Sequence, residues 1–353
     1  MARKFAEQEL APVAGEWDEK GEFHWEVVRK LHEAGLLAVG IPEEYGGPGL
    51  DAITQALVIE EIAFGCAAVA TTVAATSLLA ANPILVGGSE AQKRRYCEMV
   101  NSGGLGAFAL TEPGAGSDVA SISTTARRVP GGYVLSGTKC FITNGGVADM
   151  YVTFATVDKT LGRRGLTCFL IEKGTPGLII GKEENKMGIR SSNTTMLTFE
   201  ELFVEDKNVV GGEGQGFRIA MESLDWSRPM VAAMAVGVAQ AAYEYAVKYS
   251  KERIQFGQPI AAFQAIQFML ADMAMEIEAS RLLVLKACWL RDQGLPCGYV
   301  ASLAKAFASD TAMRVTTNAV QILGGYGYSK EYPVEKYMRD AKIMQIYEGT
   351  NQI

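Results

Sequence analysis

Residues 111–118 read TEPGAGSD and come directly after the apolar stretch 107–110. Glycine and proline at this density predict a tight turn at the end of a strand. Such a turn exposes several backbone N–H groups, which can hold a phosphate or the edge of a planar cofactor without a charged side chain. The same residues also fit an ordinary loop, so the stretch alone leaves both interpretations open.

The amino-acid composition of the chain changes at this stretch. Between about Leu105 and Val210, glycine, threonine, β-branched and aromatic residues cluster, whereas the flanking regions favour helices. Short strands with glycine-rich turns predict an antiparallel barrel or sandwich rather than alternating strand–helix units. The predicted strands are 132–137, 139–143, 150–157, 166–171 and 194–199.

Long helical patterns follow the glycine-rich run 211–216, GGEGQG. Their apolar residues surround the helices nearly completely, which predicts a bundle buried on more than one face in a larger assembly. The sequence therefore predicts an α+β multidomain chain. Its parts are a helical domain over 1–105, a β domain over 106–212 and a helical domain over 213–353, with long helices at about 229–252, 262–293 and 297–323.

Residues 225–229, DWSRP, are predicted to open the first of these long helices. Asp225 would cap the helix and Pro229 would lie in its first turn. Asp225 and Arg228 could instead grip a polar ligand.

The composition argues against several classes of function. The 33 basic and 40 acidic residues give a net charge of −7, which disfavours nucleic acid or an anionic membrane surface as the main partner. The two histidines, His24 and His32, are too few for a His-rich metal centre, so no metal site is expected. Six cysteines without C-x-x-C spacing predict reduced, buried thiols inside a cell, and no secretory signal is expected at the start of the chain.

The segment Ile62–Ser89 carries no charged residue and is long enough to span a bilayer. It consists largely of Ala, Thr and Ser, and Asn82-Pro83 interrupts it, so it predicts a buried core helix rather than a membrane span.

Two common nucleotide-binding motifs do not match. Gly114 and Gly116 lack the third glycine of G-x-G-x-x-G, and Gly132 and Gly137 have P-loop spacing but are followed by Thr-Lys. Near the end of the chain, YEGT places Glu348 between an aromatic ring and a glycine. Apolar neighbours raise the pKa of a carboxylate and strengthen it as a base, although an isolated glutamate is more often a surface residue.

Taken in order, the motifs resemble the acyl-CoA dehydrogenase family, and most closely its short- and medium-chain members. The resemblance covers essentially the whole chain. It rests on TEPGAGSD (111–118), FITNG (141–145), R-x-x-F-G (253–257), QILGG (321–325) and IYEGT (346–350), with further matches at 41–47 and 332–341.

This resemblance implies an N-terminal helical domain, a middle antiparallel β-barrel and a C-terminal four-helix bundle. It also implies a homotetramer built through the bundle, with one FAD per subunit that reaches a neighbouring subunit. Relatives usually have additional residues before Ala2 and a further helix after Gln352, so the chain is expected to be trimmed at both ends.

The implied chemistry is α,β-dehydrogenation of an acyl-CoA thioester to the trans-2-enoyl-CoA. Glu348 matches the glutamate that removes the α-proton while the β-hydride moves to flavin N5. One branch of the family has its base on the helix at DWSRP; Ser227 occupies that position here, which closes that option.

The resemblance also assigns binding residues. Phe141 stands where many relatives have Trp. The implied flavin contacts are Phe108, Leu110, Thr111, Gly116, Ser117, Phe141, Thr143, Thr350 and Gln352. The implied adenine-side contacts, across the subunit interface, are Arg253, Phe256, Gln264, Gln321, Gly324 and Gly325. The implied substrate contacts are Ser117, Asp225, Arg228, Tyr347 and Gly349.

The uncharged segment Ile62–Ser89 resembles the one that forms the acyl pocket. It holds no Arg or Lys to pair a terminal carboxylate, so a saturated, uncharged, short- or medium-chain fatty acyl-CoA is expected rather than glutaryl-CoA. Electrons would pass to an electron-transfer flavoprotein, in a prokaryotic cytoplasm or, for a processed eukaryotic chain, the mitochondrial matrix. The alternatives are an acyl-CoA oxidase using O2 and a flavin-free helical assembly protein that kept the fold.

Overall fold

The computed structural model describes residues 1–353. Seven α-helices and two π-helical turns, Ala6–Leu10 and Ala75–Leu79, form the N-terminal part. The Asp51 side chain caps α4, and Ser89 and Gln92 form a capping box at α7. The helices are α1 (Ala2–Phe5), α2 (Ala14–Lys20), α3 (Trp25–Glu33), α4 (Ala52–Gly65), α5 (Ala67–Ala74), α6 (Ala81–Gly87) and α7 (Glu90–Asn101).

The uncharged segment is interrupted by an extended residue, Cys66, between α4 and α5. All eight residues of α5 are buried. Two stretches are long and apolar enough to cross a membrane, Ala67–Gly87 and Gly216–Glu252, and 83% and 72% of their most apolar windows are buried inside the protein. Both are therefore core helices of this fold, in agreement with the prediction for the first.

The middle part is one mixed sheet. Its strands run in the order β6-β7-β3-β2-β4-β5-β8, and β1 lies parallel to β4. They are β1 (Gly106–Ala109), β2 (Thr125–Val129), β3 (Gly132–Thr143), β4 (Met150–Thr156), β5 (Leu166–Glu172), β6 (Leu178–Glu183), β7 (Thr194–Glu205) and β8 (Val209–Val210).

The predicted antiparallel barrel is wrong in two respects. The sheet is not closed, because closure would need a ladder between its edge strands β6 and β8, and β8 has only two residues, which pair with β5. The β1–β4 and β2–β4 pairs are parallel. Alternation of side chains predicts strands, but it does not specify which edges meet.

The predicted strands 132–137 and 139–143 are one strand, β3. Its pairing with β7 shifts register between Leu135 and Gly137 and again between Lys139 and Ile142. Phe141 lies in the second irregularity with a φ of 57°. Bulges of this kind re-aim a side chain, and here the strand continues through them.

Four helices form the C-terminal part: α8 (Gly216–Glu252), α9 (Gln264–Asp292), α10 (Gly298–Leu323) and the short α11 (Val334–Lys342). A two-stranded hairpin, β9 (Ile254–Gln255) and β10 (Gln258–Pro259), joins α8 to α9. The largest buried cluster runs from Ala2 to Met344, so the N-terminal and C-terminal helices share one core.

The prediction that DWSRP opens a helix is wrong, because α8 begins at Gly216 and Pro229 lies inside it. Proline cannot donate a hydrogen bond to the carbonyl four residues earlier, which here is that of Asp225. The thiol of Cys297 contacts this carbonyl oxygen at 3.9 Å and supplies a weak donor. Asp225 is consequently a helix-interior residue and no cap.

Candidate active site

Glu348 lies in a tight turn after α11, with φ of 55° at Glu348 and 98° at Gly349. Two cations hold this turn from two different helices. Arg228 of α8 donates from Nε to the carbonyl oxygen of Glu348 at 3.1 Å, and Lys305 of α10 donates from Nζ to that of Gly349 at 2.5 Å. The unusual backbone conformation is therefore fixed by hydrogen bonds to its carbonyls.

The carboxylate of Glu348 has one side-chain partner, the hydroxyl of Ser227, which donates to Oε2 at 2.5 Å. Burial raises the pKa of Glu348 to about 7, while this hydrogen bond and the charges of Arg228 and Lys305 act in the opposite direction. A carboxyl group with a pKa near neutrality can accept or release a proton at physiological pH.

Asp225 and Arg228 form an ion pair one turn apart on α8, with 2.9 Å between Oδ1 and Nη1. Burial raises the pKa of Asp225 even though Arg228 opposes it. Arg228 thus lies beside Glu348 with Asp225 paired to it, and the ligand-grip interpretation of the two residues stays a prediction.

Tyr347 places the turn against α5. Its hydroxyl contacts the sulfur of Met234 at 4.0 Å, and the hydroxyl of Thr71 contacts the same sulfur at 3.9 Å. The segment predicted to line an acyl pocket therefore lies next to the carboxylate predicted to act on the acyl chain.

A second set of predicted residues meets on the sheet. The carbonyl of Thr111 accepts from the N–H of Cys140 at 2.9 Å, so the 111–118 turn lies against β3 immediately before Phe141. Phe108 packs on Phe154 with ring centroids 5.1 Å apart, and Leu110 is buried beneath the turn. Gly116 and Ser117 are exposed at the tip of the turn, and Thr143 pairs with Thr194 at the end of β3.

This surface fits a flavin. Phe141 presents an apolar ring that is 67% exposed, and its positive φ turns it out of the regular strand alternation. The backbone at Gly114 and Gly116 is open, since a Cβ at either position would meet nothing within 4 Å. A planar apolar face next to a turn with open backbone suits a ring system and its phosphate tail.

Asn144 connects the two sets of residues and was not singled out by sequence reasoning. It is fully buried, and its Nδ2 lies within 3.2 Å of Thr72 O, 3.1 Å of Thr76 Oγ1 and 3.1 Å of Gly106 O. It ties the end of β3 to α5 and to the π-helical turn that follows. The sequence feature that could have identified Asn144 is its place in the FITNG motif (141–145).

The adenine-side residues form a third set at the far ends of the long helices. Arg253, Gly324 and Gly325 line a groove of about 490 Å³, and the guanidinium of Arg253 lies 5.4 Å from the ring centroid of Tyr326. Phe256 is 93% exposed. Gln264 opens α9, Gln321 lies exposed in the last turn of α10, and neither is brought to Glu348.

The last residues follow Glu348 directly. The carbonyl of Thr350 accepts from the N–H of Ile353 at 2.9 Å, and Gln352 is exposed. Between them Asn351 donates to Ala306 O, Ser309 Oγ and Asp310 Oδ1 and accepts from Lys305. Neither Asn351 nor Lys305 was predicted, because a lysine in an alanine-rich helix gives no sign that it is buried.

A helical–β–helical chain that carries a carboxyl group with a near-neutral pKa and an exposed aromatic ring next to an open turn is typical of a class, the flavin-dependent oxidoreductases that act on carbon–carbon bonds. Three family models match the chain: the N-terminal domain of acyl-CoA dehydrogenase over residues 1–104, its middle domain over 107–202 and its C-terminal domain over 214–353. The chain belongs to the acyl-CoA dehydrogenase family.

Individual members of this family are similar to the chain over nearly its whole length. The short-chain-specific acyl-CoA dehydrogenase of Megasphaera elsdenii is 50% identical over 358 residues, which cover 100% of this chain and 94% of the relative. The solved structure of butyryl-CoA dehydrogenase from M. elsdenii has a TM-score of 0.97 and 50% identity over 99% of this chain and 93% of that one. A chain from a structural study of the electron transferring flavoprotein of Acidaminococcus fermentans has a TM-score of 0.98 and 50% identity, covering 100% and 93%.

Proposed function

We propose that this acyl-CoA dehydrogenase converts a saturated short- or medium-chain fatty acyl-CoA to the trans-2-enoyl-CoA, with Glu348 as the base and FAD as the cofactor. The observation that carries the proposal is the Glu348 carboxylate, which is partly buried, hydrogen-bonded to Ser227 and held in a strained turn by Arg228 and Lys305.

The α-proton of a saturated thioester is weakly acidic, so its removal needs a strong base and stabilisation of the thioester oxygen. A pKa of about 7 keeps Glu348 largely ionised at slightly alkaline pH and makes it a stronger base than an ordinary glutamate. None of the hydrogen bonds of the backbone has the N–H of Glu348 as its donor. This group is therefore assigned to the thioester oxygen.

The flavin ring is assigned to the surface formed by the 111–118 turn and the end of β3. When bound, FAD would supply the acceptor for the hydride that leaves the β-carbon. The ring contacts are assigned to Phe108, Leu110, Thr111, Phe141 and Thr143, and the phosphate contacts to Gly116 and Ser117. Thr350 and Gln352 would close the site from the end of the chain.

The adenine half of FAD is assigned to the groove at Arg253 and its neighbours. The exposure of Phe256, Gln321, Gly324 and Gly325 leaves them free to serve a cofactor bound mainly by another subunit, in a homotetramer.

The acyl chain is assigned to the side of α5 that carries Thr71 and lies near Tyr347, with Asp225, Arg228 and Ser117 on the CoA side. The segment from Ile62 to Ser89 supplies no cation, so a terminal carboxylate there would be buried without a partner, at a cost of several kcal/mol. We expect turnover to be fastest with an uncharged chain in a butyryl- to palmitoyl-CoA series and much slower with glutaryl-CoA. Equal turnover of glutaryl-CoA would contradict this assignment.

An electron-transfer flavoprotein is the proposed acceptor, supported by the similarity to the chain from the A. fermentans study. Reoxidation by such a flavoprotein without stoichiometric peroxide would agree with this, whereas steady peroxide production would indicate an oxidase.

The test of the base is Glu348→Gln. Because the amide cannot accept the proton, we expect flavin reduction by acyl-CoA under anaerobic conditions to fall about 10²- to 10⁴-fold, with FAD still bound. Stopped-flow absorbance at the flavin band measures the rate.

The matched control is Glu331→Gln, an exposed glutamate in the turn before α11. It should reduce at the wild-type rate. Near-normal reduction in Glu348→Gln would mean that another residue is the base.

A further inference from the structure

Ser227 is buried on the inner side of α8, and its hydroxyl is placed between two acceptors. Its Oγ lies 2.5 Å from Oε2 of Glu348 and 3.3 Å from the carbonyl oxygen of Leu224, one turn earlier in the same helix. A hydroxyl has one proton to donate, so it serves one acceptor at a time.

The two distances favour the carboxylate when Glu348 is ionised. A hydroxyl-to-carboxylate bond is short and stronger than one between neutral groups. When Glu348 is protonated, the acid O–H can donate to Oγ and the hydroxyl proton can turn to Leu224. Glu348 then has a hydrogen bond with Ser227 in both protonation states, but the bond to the ionised form is the stronger one.

We propose that Ser227 is a positioning residue for the reaction: its hydroxyl holds Oε2 of Glu348 and leaves Oε1 to take the α-proton. The inference rests on Glu348 as the base. Another branch of the family has its base at the position of Ser227. Here Ser227 would instead support a base on a different segment, Glu348.

Other charged and titratable groups surround Glu348. Arg228 and Asp225 face it from α8, Lys305 and Asp310 lie on α10, and Tyr347 precedes it. None of these groups makes a side-chain hydrogen bond to the carboxylate, whose side-chain partner is the Ser227 hydroxyl. Burial is the largest influence on the pKa of Glu348, and the Ser227 hydrogen bond is the largest influence in the lowering direction.

The experiment compares Ser227→Ala with Ser227→Thr in the FAD-loaded enzyme. Removal of the hydroxyl should raise the apparent pKa of the base by about half a unit to one unit, because a bond to the ionised form is lost. Anaerobic flavin reduction should then fall about three- to tenfold at pH 6 and less than about twofold at pH 9. Ser227→Thr keeps the hydroxyl and should restore the wild-type pH profile.

A readout that does not depend on turnover is the infrared titration of the Glu348 carboxylic acid band, identified as the band missing in Glu348→Gln. It should titrate at higher pH in Ser227→Ala. Ser223→Ala is the matched control, since Ser223 is buried one turn earlier on α8 and its hydroxyl donates to Ile219 O. It should shift neither the band nor the pH profile.

An unchanged profile and band in Ser227→Ala, with Glu348→Gln inactive at all pH values, would overturn the inference and leave the proposed function intact. Normal reduction in Glu348→Gln would instead overturn the proposed function. A uniform loss at all pH values in Ser227→Ala, not restored by Thr, would mean that Ser227 serves packing only.

Discussion

Glu112 and Lys139 form a fully buried ion pair beneath the 111–118 turn, with 2.8 Å between Oε1 and Nζ. Lys139 also donates to Leu110 O at 3.0 Å, and Glu112 accepts from the N–H groups of Ser123 and Thr124. The pair therefore fixes the turn from below, so that its exposed backbone is free on the other side.

Breaking this buried ion pair should destabilise the protein. Glu112→Gln should lower the free energy of unfolding by about 3–5 kcal/mol, because the Lys139 ammonium is left buried without a counter-charge. Burial alone would raise the pKa of Glu112, but Lys139 and the hydrogen bonds bring it down to about 2. Burial lowers the pKa of Lys139 to about 8, so the pair is complete between about pH 4.5 and 8. Its contribution should disappear as the pH falls towards 2 and decline again above about pH 8.

Urea denaturation measures the loss, and Glu112→Gln combined with Lys139→Met should recover much of it. The control is Arg127→Ala, which breaks an exposed pair with Glu201 and should cost less than about 1 kcal/mol. A cost for Glu112→Gln no larger than that of this control would contradict the prediction.

Among the elements, α8 and α4 cross so closely that a glycine is needed. A Cβ on Gly237 of α8 would lie 2.2 Å from the carbonyl oxygen of Glu60 and 3.0 Å from Cβ of Ala63. The same crossing carries the ion pair of Glu60 with Arg281, which links α4 to α9 at 2.9 Å. The N-terminal and C-terminal helices are thus fixed together by contact of backbone on backbone.

Gly237→Ala should therefore destabilise the protein by about 1–3 kcal/mol, since the added methyl group must push the two helices apart. Gly15→Ala in α2 is the matched control, because a Cβ there would meet nothing within 4 Å. In an open helical position alanine is expected to stabilise by about 0.5–1 kcal/mol. Thermal melting of the two variants should shift in opposite directions, and shifts of the same sign would argue against the close crossing.

For the whole molecule, we expect the subunits of the proposed tetramer to meet at an apolar stripe on α9. Phe268, Met275, Leu282 and Trp289 recur every seven residues, and all four are exposed. Such a stripe at a heptad spacing is typical of a helix that packs against another helix.

Met275→Glu combined with Leu282→Glu should dissociate the tetramer, because it places two carboxylates in an apolar interface. Light scattering after gel filtration measures the mass. FAD content should fall in parallel if the groove at Arg253 serves a cofactor of another subunit. Lys159→Glu, an exposed lysine after β4, changes the net charge by the same amount away from α9 and is the control for added charge. A tetramer that persists in the double variant would assign the interface elsewhere.

The order of the motifs was enough to predict the family and the three-part organisation, because these depend on local residue types in sequence. It also singled out Glu348 as the candidate base. Helix bounds were less accessible. Pro229 indicated a helix start, yet α8 passes through it, since Cys297 from another helix approaches the carbonyl that proline leaves without a donor.

By itself the sequence determined the family and predicted the candidate chemical residues and the main helical and extended segments, because these follow from side-chain type and local pattern. Only the tertiary structure decided that the sheet stays open and that Ser227, Arg228 and Lys305 converge on the turn at Glu348. The same holds for Asn144, which joins the sheet to α5. The reason is physical: burial, a hydrogen-bond partner and a raised pKa are properties of an environment, and that environment is assembled from residues that lie between 44 and 121 positions apart in the chain.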